Sequence, residues 1–294
     1  MGFYALLLRS TAHRFGQGLY RCVTSAVVAA WLVSCGLAWA AEQQPADKPY
    51  EPRQGQPGKD VMWIPTPDDM VGKMLTMAKV TPRDFVIDLG SGDGRNVIAA
   101  ARRGAHALGV EYNPELVEFS KRTALAAGVA AKATFVQGDM FEADISKATV
   151  MILFLITDNL RKLTPRLLNL RPGTRVVSNT FEIPGWSADQ TYKLGGDCIT
   201  WCTAFLYIVP TKVAGKWQLP QGTLTLEQTF QTLNGTLEID GQSLPIKNGR
   251  LNGSQIQFTA GSTSYAARVS NDTIKGSVKG GAVKTWTAAR TNPQ

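Results

Sequence analysis

Three glycines at alternate positions follow a short apolar run in the segment VIDLGSGDGR, residues 86–95. The run ends at Asp88, and the glycines are Gly90, Gly92 and Gly94, with Ser91 after the first of them. Glycine adopts backbone conformations that other residues avoid, and it lets a ligand come close to the main chain. A strand that ends in an acid and is followed by such a bend predicts a ligand site at the carboxyl edge of a parallel sheet.

The spacing of the glycines favours a ligand without a phosphate group at this bend. A dinucleotide site has the pattern G-x-G-x-x-G, in which backbone N–H groups and a helix N-terminus hold a pyrophosphate. This chain has G-x-G-x-G with an acid before it. That combination suits a ligand that carries an amino group.

Two more acids stand at the ends of the next two predicted strands. Glu111 ends LGVEYN, 23 residues after Asp88, where a carboxylate can accept from both ribose hydroxyl groups. Asp139 ends FVQGDMF, where it can accept from an adenine amino group, with Met140 and Phe141 as apolar neighbours of the ring. Three carboxylates on successive strand ends predict a site for an adenosine with a positively charged tail.

Strand and helix patterns alternate from about residue 61 to residue 210. This alternation predicts a doubly wound, Rossmann-like α/β sheet covered by helices on both faces, which would position the three acids. Asn113 and Pro114 are placed to cap and begin one of the helices. Met70, Met74 and Met77 recur at helical spacing, and we interpret them as a packing face.

The pattern changes near residue 211, after which about eight short segments alternate apolar and polar residues. We predict that residues 211–294 form a small antiparallel all-β domain, either a barrel or a sandwich. Pairs of Asn or Asp with Gly predict hairpin turns at 234–235, 240–241, 248–249 and 252–253.

Residues 1–40 have the composition of a targeting segment, and residues 41–60 that of a flexible linker. An arginine-bearing start leads into an apolar stretch that closes on Ala38-Trp39-Ala40, which is typical of a cleaved signal peptide. An uncleaved membrane anchor, lipid attachment at Cys35 and an organelle presequence remain as alternatives. We expect the remainder of the chain to be exported or held at a membrane.

The rest of the composition excludes several classes of protein. The net charge is +8, but three of the arginines lie in the first 40 residues and the remaining excess is scattered, so no nucleic-acid partner is expected. His106 is the single histidine after the leader, which leaves no metal site or Ser-His-Asp triad. Cys198 and Cys202 lie in an apparent strand, where a separation of ~13 Å predicts free, buried thiols.

The succession of the glycine bend and the later acids resembles the class I S-adenosylmethionine-dependent methyltransferases over residues 61–210. The resemblance implies that Gly90, Gly92 and Gly94 line the methionine part of the cofactor, Glu111 holds the ribose and Asp139 the adenine. The fourth strand ends in FLITDN, without the Asn/Asp-Pro-Pro-Tyr stretch of amino-DNA methyltransferases, and no Pro-Cys nucleophile occurs.

WIPTPDDMVGKML and SNTFEIPGW extend this likeness. Together with DLGSGDGR, they resemble the mitochondrial-type protein-lysine methyltransferases that modify the adenine nucleotide translocase or the ATP synthase c-subunit, and their bacterial relatives. The resemblance implies that Pro65, Thr66 and Pro67 lie over the cofactor and shape the acceptor channel. The β-domain and the apparent export signal depart from that family and leave the acceptor open. The predicted cofactor-binding residues are Pro65, Thr66, Pro67, Asp88, Gly90, Ser91, Gly92, Gly94, Glu111, Asp139 and Met140.

The acceptor channel has polar and aromatic candidates near the predicted strand ends. Each has a structural alternative, as a helix cap, a solvated charge or a core residue. The candidates are Thr66, Asp69, Asp158, Asn159, Glu182 and Trp186.

Three functions fit these residues. The favoured one is methylation of a protein lysine on a membrane-associated target, with S-adenosylmethionine as the methyl donor. The second is methylation of a small molecule that the β-domain helps to select. The third is an exported protein that binds S-adenosylmethionine without catalysis, since this metabolite is made in the cytosol.

Overall fold

The computed structural model describes residues 49–196, 198–280 and 284–291. The predicted targeting segment, residues 1–40, lies outside the described residues, as does the linker up to residue 48. Within the described ranges, no helix combines the length and the apolar character that a membrane span requires.

Seven strands form a mixed sheet in the order β3-β2-β1-β4-β5-β7-β6. The first five are parallel to one another, whereas β7 runs antiparallel between β5 and β6. The strands are β1 Phe85–Leu89, β2 His106–Glu111, β3 Ala133–Gln137, β4 Val150–Leu153, β5 Arg175–Asn179, β6 Gln190–Lys193 and β7 Thr203–Ile208.

Four helices cover the two faces of this sheet. They are α1 Asp68–Met77, α2 Arg95–Arg102, α3 Pro114–Ala126 and α4 Thr157–Leu167. The first three pack in one apolar cluster with the side chains of Val86 and Ile152, and α4 packs in another with those of Ile87 and Leu153. Successive side chains of a strand thus point to opposite faces of the sheet, and each face packs against helices. The predicted Rossmann-like sheet is confirmed.

Two local predictions about helices hold in the structure. Asn113 caps α3, where its Oδ1 accepts from the backbone N–H of Glu115 at 2.8 Å and Pro114 takes the first helical position. The methionines of α1 are buried against the sheet, so they form a packing face.

The second part of the chain is a closed antiparallel barrel of eight strands. The strands are β8 Gly215–Leu219, β9 Gly222–Thr229, β10 Thr232–Ile239, β11 Gln242–Asn252, β12 Gln255–Ala260, β13 Thr263–Ser270, β14 Thr273–Lys279 and β15 Thr285–Arg290. Side chains fill its interior, among them Trp217, Phe258, Tyr265 and Trp286. Of the two architectures that the sequence left open, the structure has the barrel.

Two of the four predicted hairpin turns are wrong. Asp240-Gly241 lies between β10 and β11, and Asn252-Gly253 lies at the end of β11, where Gly253 begins the turn. Asn234-Gly235 lies inside β10 and Asn248-Gly249 inside β11. At both inner pairs the pairing of β10 with β11 or of β11 with β12 changes register. At these two glycines a β-bulge bends the strand, which helps the sheet to close into a barrel. In the sequence, an Asn-Gly pair at such a bulge looks the same as an Asn-Gly pair in a hairpin turn.

The prediction for the cysteines is also wrong. Strand β7 begins only at Thr203, and the chain before it turns back through Trp201, which has a φ of 62°. The Cα atoms of Cys198 and Cys202 consequently lie 6.0 Å apart, and the two residues form a disulfide. The spacing rule failed because it assumed an extended chain.

The barrel packs on the mixed sheet through Phe230, in the turn between β9 and β10. The Phe230 ring stacks on the buried ring of Trp186, with centroids 5.5 Å apart and an angle of 9°. Gln231 donates to the Ser187 carbonyl at 2.6 Å, and Arg250 pairs with Asp189 at 2.6 Å. The loop after β5 is therefore shared between the two cores.

We expect Phe230→Ala to lower the free energy of unfolding by about 1–3 kcal/mol, because it leaves a cavity beside Trp186. Urea denaturation measures the change, and Phe230→Leu, which keeps most of the apolar volume, should lose less. Equal stability of the alanine variant and the parent chain would show that the stacking does not couple the two parts.

Candidate active site

The glycine bend links β1 to α2 at the carboxyl edge of the sheet. Gly90, Gly92 and Gly94 all have positive φ, at 72°, 55° and 79°. A Cβ on Gly92 would lie 2.2 Å from the indole nitrogen of Trp63, and one on Gly94 would lie 2.7 Å from the Phe135 ring. These two glycines are therefore required by the protein's own packing, whereas Gly90 faces a cavity.

Glu111, at the end of β2, is tied to this bend by both of its carboxylate oxygens. Oε2 accepts from the Gly92 N–H and Oε1 from the Asn113 N–H, each at 2.9 Å. Each oxygen keeps a further lone pair that can accept from a ligand hydroxyl group. The carboxylate is thus oriented before any ligand arrives.

Asp139 lies just beyond β3 and faces the same cavity. Its Oδ1 accepts from the Phe141 N–H at 2.8 Å, and its Oδ2 pairs with the Lys59 ammonium. The hydrogen bond from Lys59 lowers the pKa of Asp139 and raises that of Lys59. The same ammonium lies 4.9 Å from the centre of the Tyr112 ring.

Residues 57–64, here called the strap, run over the cavity. Hydrogen bonds of 2.9 Å join Gly55 N–H to the Trp63 carbonyl and Trp63 N–H to the Gln56 carbonyl. The cavity lies under the strap and has a volume of about 90 Å³. Its wall opposite the strap includes Gly90, Glu111, Tyr112, Gly138, Asp139, Met140, Phe154 and Leu155.

The chemistry of this wall fits an adenosyl ligand. Glu111 and Asp139 present acceptors for hydroxyl and amino groups, Met140 presents an apolar surface, and Gly90 leaves space where a side chain would project. The present volume is below the roughly 300–1,000 Å³ of typical ligand sites. Lys59, which pairs with Asp139, lines the cavity from the side of the strap.

Asp88 lies beneath the site and does not line the cavity. It is 2% exposed, and its Oδ2 accepts from the Asn96 side-chain amide at 3.1 Å. Burial raises the pKa of Asp88 to about 8, and the charge of Glu111 adds to the increase. Two of the three predicted acids thus share the cavity, and the third supports the bend from behind.

This pKa predicts how stability depends on pH. Asp88 holds its proton up to about pH 8 in the folded chain but releases it near 3.8 when unfolded, so stability should fall as the pH rises between these values. Asp88→Asn keeps an acceptor for Asn96 and has no proton to release, so its stability should fall less between about pH 5 and about pH 8. Urea unfolding at both pH values tests this expectation, and parallel losses in the two proteins would contradict it.

The Pro65–Pro67 segment follows the strap and lies against the glycine bend. Arg95 Nη1 donates to the Thr66 carbonyl at 2.8 Å, while Nη2 pairs with Asp93 at 2.7 Å. Thr66 is buried. Neither this segment nor Ser91, which is also buried, is among the residues that line the cavity.

The predicted channel candidates are placed elsewhere, and the structure brings none of them to the cavity wall. Asp69, Glu182 and Asp158 are exposed, and Asp158 is paired with Arg161. Trp186 is a core residue that packs on Tyr207 and Phe230. Asn159 is 3% exposed, and its amide nitrogen has no hydrogen-bond partner among the described residues.

Phe154 and Leu155, which follow β4, line the cavity. The sequence contains a signal for them, since FL directly follows the fourth strand at the carboxyl edge where ligands bind. The predicted channel candidates were polar residues and Trp186, so this apolar pair was not among them. Lys59 and Trp63 were missed as well, because the strap crosses the end of the predicted linker at residue 60, and Tyr112 was missed although it directly follows Glu111.

Known proteins resemble this chain over the part that carries the site. The family described as "ANTKMT methyltransferase domain" matches residues 88–190, from β1 to the start of β6. A protein-lysine N-methyltransferase of Saccharolobus islandicus is 42% identical over 152 residues, which are 51% of this chain and 94% of that protein. The lysine N-methyltransferase of Mus musculus that is named for the ATP synthase c-subunit is 34% identical over 47% of this chain, which spans 56% of that enzyme.

A solved structure described as an RNA methyltransferase of Salinibacter ruber with S-adenosyl-L-homocysteine is also similar. It shares 45% identity, covers 51% of this chain and 96% of its own, and has a TM-score of 0.48. The assignment rests on the relative of Saccharolobus islandicus, of which this chain covers 94%, and the family match over residues 88–190 agrees with it. This chain belongs to the S-adenosylmethionine-dependent protein-lysine methyltransferase family.

Proposed function

We propose that this protein methylates the side-chain amine of a lysine in a protein substrate, at the cavity under the strap. The observation that carries the proposal is the pair of preset carboxylates, Glu111 and Asp139, on the wall beside Gly90. Membership of the lysine methyltransferase family supports the choice of acceptor.

Each part of the cofactor has a residue suited to hold it. We assign the ribose to Glu111, the adenine to Asp139 and Met140, and the methionine part to the backbone near Gly90. Asp139 has to share its Oδ2 with Lys59 or exchange that partner for the adenine amino group. Asp88, Ser91, Gly92 and Gly94 contribute by shaping the bend.

When bound, S-adenosylmethionine supplies a methyl group on a positively charged sulfur, and the carbon–sulfur bond breaks as the amine takes the methyl group. The protein's contribution is to align the amine and to exclude water, and alignment alone can supply about 7–11 kcal/mol. A lysine amine with a pKa of about 10.4 must first lose its proton, which costs about 4.6 kcal/mol at pH 7. An apolar approach such as that beside Phe154 and Leu155 favours the neutral amine.

We expect Glu111→Ala to weaken the affinity for S-adenosylhomocysteine by about 10- to 100-fold, the loss typical of hydrogen bonds to a charged group. Isothermal titration calorimetry measures the affinity. Glu118→Ala, which removes an exposed glutamate of α3 paired with Lys121, is the matched control and should bind normally. Unchanged affinity of Glu111→Ala would remove the proposed cofactor site.

The same pair of variants tests the acceptor. Cell and membrane extracts incubated with methyl-labelled S-adenosylmethionine and the parent enzyme should gain label that protease releases and ribonuclease does not. Glu118→Ala should behave like the parent, and Glu111→Ala should label weakly. Label that ribonuclease releases, or that appears in small molecules alone, would contradict a protein acceptor.

We further propose that the protein acts at a membrane or beyond it, on a membrane-associated target. The composition of residues 1–40 supports this location. The Cys198–Cys202 disulfide supports it as well, since disulfides persist mainly in oxidising compartments.

We expect the native protein in the membrane or exported fraction, either shortened at its N-terminus or anchored by residues 1–40. Cell fractionation followed by sequencing of the mature N-terminus distinguishes the two forms. Recovery of the full chain, including residues 1–40, from the soluble cytosolic fraction would contradict the proposed location.

A further inference from the structure

Three half-buried aromatic side chains form a cluster beside the cavity, here called the aromatic platform. They are Phe154, Phe181 and Trp201. The ring centroids of Phe154 and Trp201 lie 5.4 Å apart, and Phe181 lies 6.4 Å from Phe154 and 6.3 Å from Trp201. The rings touch one another, so a ligand would lie on the outer surface of the cluster and not between its members.

The platform adjoins the cavity, because Phe154 belongs to both. Phe154 follows β4, Phe181 follows β5 and Trp201 precedes β7, and these strands are neighbours in the sheet. Phe154 also belongs to the cavity wall that contains Gly90 and Glu111. A side chain that lies on the platform is therefore led towards the place proposed for the cofactor.

Trp201 lies between the two cysteines of the disulfide. Cys202 is its neighbour and is bonded to Cys198, four residues earlier in the chain. Trp201 has a φ of 62°, a conformation that is uncommon for a bulky residue. On the other side, the Thr180 N–H donates to the Thr203 carbonyl at 2.6 Å and joins the loop of Phe181 to the start of β7.

Four exposed apolar side chains line the cavity or lie two residues from a platform residue in the sequence. Of the six large apolar residues that the described part of the chain leaves exposed, Met62 and Tyr112 line the cavity. Ile156 lies two residues after Phe154, and Ile199 lies two residues before Trp201 and is 93% exposed. Such a concentration of apolar surface is typical of a site where another protein docks.

We propose that the aromatic platform binds the lysine side chain of the protein acceptor, and that it holds the methylated forms by cation–π contact. This inference rests on the proposed function and adds the acceptor site that the polar candidates did not provide. Aromatic faces attract ammonium groups, and methylated ammonium groups are the best known ligands of such surfaces. The apolar rim would then contact the residues on either side of the acceptor lysine.

The charge of the ligand separates cation–π binding from simple apolar contact. The probe is a peptide with trimethyllysine, and its partner carries a neutral tert-butyl isostere in which carbon replaces the charged nitrogen. With the parent enzyme saturated with S-adenosylhomocysteine, calorimetry should show about 3- to 30-fold tighter binding of the charged peptide. Equal binding of the two peptides, or binding of neither, would overturn the platform.

Matched variants locate the effect. Trp201→Leu and Phe181→Leu keep apolar bulk but remove an aromatic face, so each should reduce the preference for the charged peptide. Phe119→Leu, which changes a half-buried aromatic residue of α3 outside the platform, should keep the preference. The inference is wrong if Trp201→Leu and Phe181→Leu behave like the parent.

Methyl transfer separates this inference from the proposed function. Trp201→Leu should raise KM for the labelled protein acceptor several-fold and leave the affinity for S-adenosylhomocysteine unchanged. A parent enzyme that neither binds S-adenosylhomocysteine nor labels protein would contradict the proposed function itself. A parent enzyme that does both, with KM unchanged in Trp201→Leu, would contradict the platform alone.

The disulfide provides an independent test of how Trp201 is positioned. The double variant Cys198→Ser, Cys202→Ser should lose the preference for the charged peptide to the same degree as Trp201→Leu. Its affinity for S-adenosylhomocysteine should remain that of the parent. A full preference in the double variant would show that the disulfide does not position the platform.

Discussion

The site depends on the way in which Glu111 is held by two backbone N–H groups from different turns. Gly92 belongs to the bend after β1, and Asn113 caps the helix that follows β2. Glu111 therefore joins two successive strand ends at the edge of the sheet. Because its orientation is set in the folded chain, a ligand hydroxyl group would meet an acceptor that needs little further ordering, which is the usual advantage of a preorganised site.

The glycine bend shows how close packing and ligand binding become combined in one motif. Gly92 and Gly94 make room for Trp63 and Phe135, and Gly90 makes room for the cavity. A pattern of alternate glycines indicates close approach but does not say what approaches. In this protein, rings of the protein itself approach two of the three glycines, Gly92 and Gly94, and only Gly90 borders the cavity.

The sequence was sufficient for the five parallel strands of the sheet, its helices and the approximate number of barrel strands, because these follow from local alternation of apolar residues. It was sufficient to place Glu111 and Asp139 at the carboxyl edge of the sheet, because an acid at the end of a predicted strand has a predictable place in this fold. It was insufficient wherever a contact joins distant segments. Neither the pairing of Lys59 with Asp139 nor the approach of Phe181 to Trp201 has a local pattern.

Local rules also failed where they assumed the wrong backbone. Cys198 and Cys202 form a disulfide because the chain turns at Trp201, and Asn234-Gly235 bends a strand instead of ending it. Asp88, the first acid of the sequence pattern, is buried at the end of its strand. In each case the residue types indicated a special feature at that position, but the packing of distant segments determined the conformation of the backbone there.

The barrel and the sheet share the loop that follows β5. This loop carries Phe181 on the platform side and Trp186 on the barrel side, where Phe230 stacks on it. The family match ends at residue 190, before the barrel begins. A domain outside the family match is thus packed against the loop that we assign to the acceptor.

Hydrogen–deuterium exchange with and without S-adenosylhomocysteine shows directly whether the ligand binds beside Glu111 and Asp139, because it reports the binding site without any substitution. We expect slower exchange in the strap, residues 57–64, in the glycine bend, residues 90–94, and around residues 111–113 and 138–140. Exchange in the barrel should change little. Protection confined to the barrel, or no protection at a saturating concentration of the ligand, would contradict the assignment of the cofactor site.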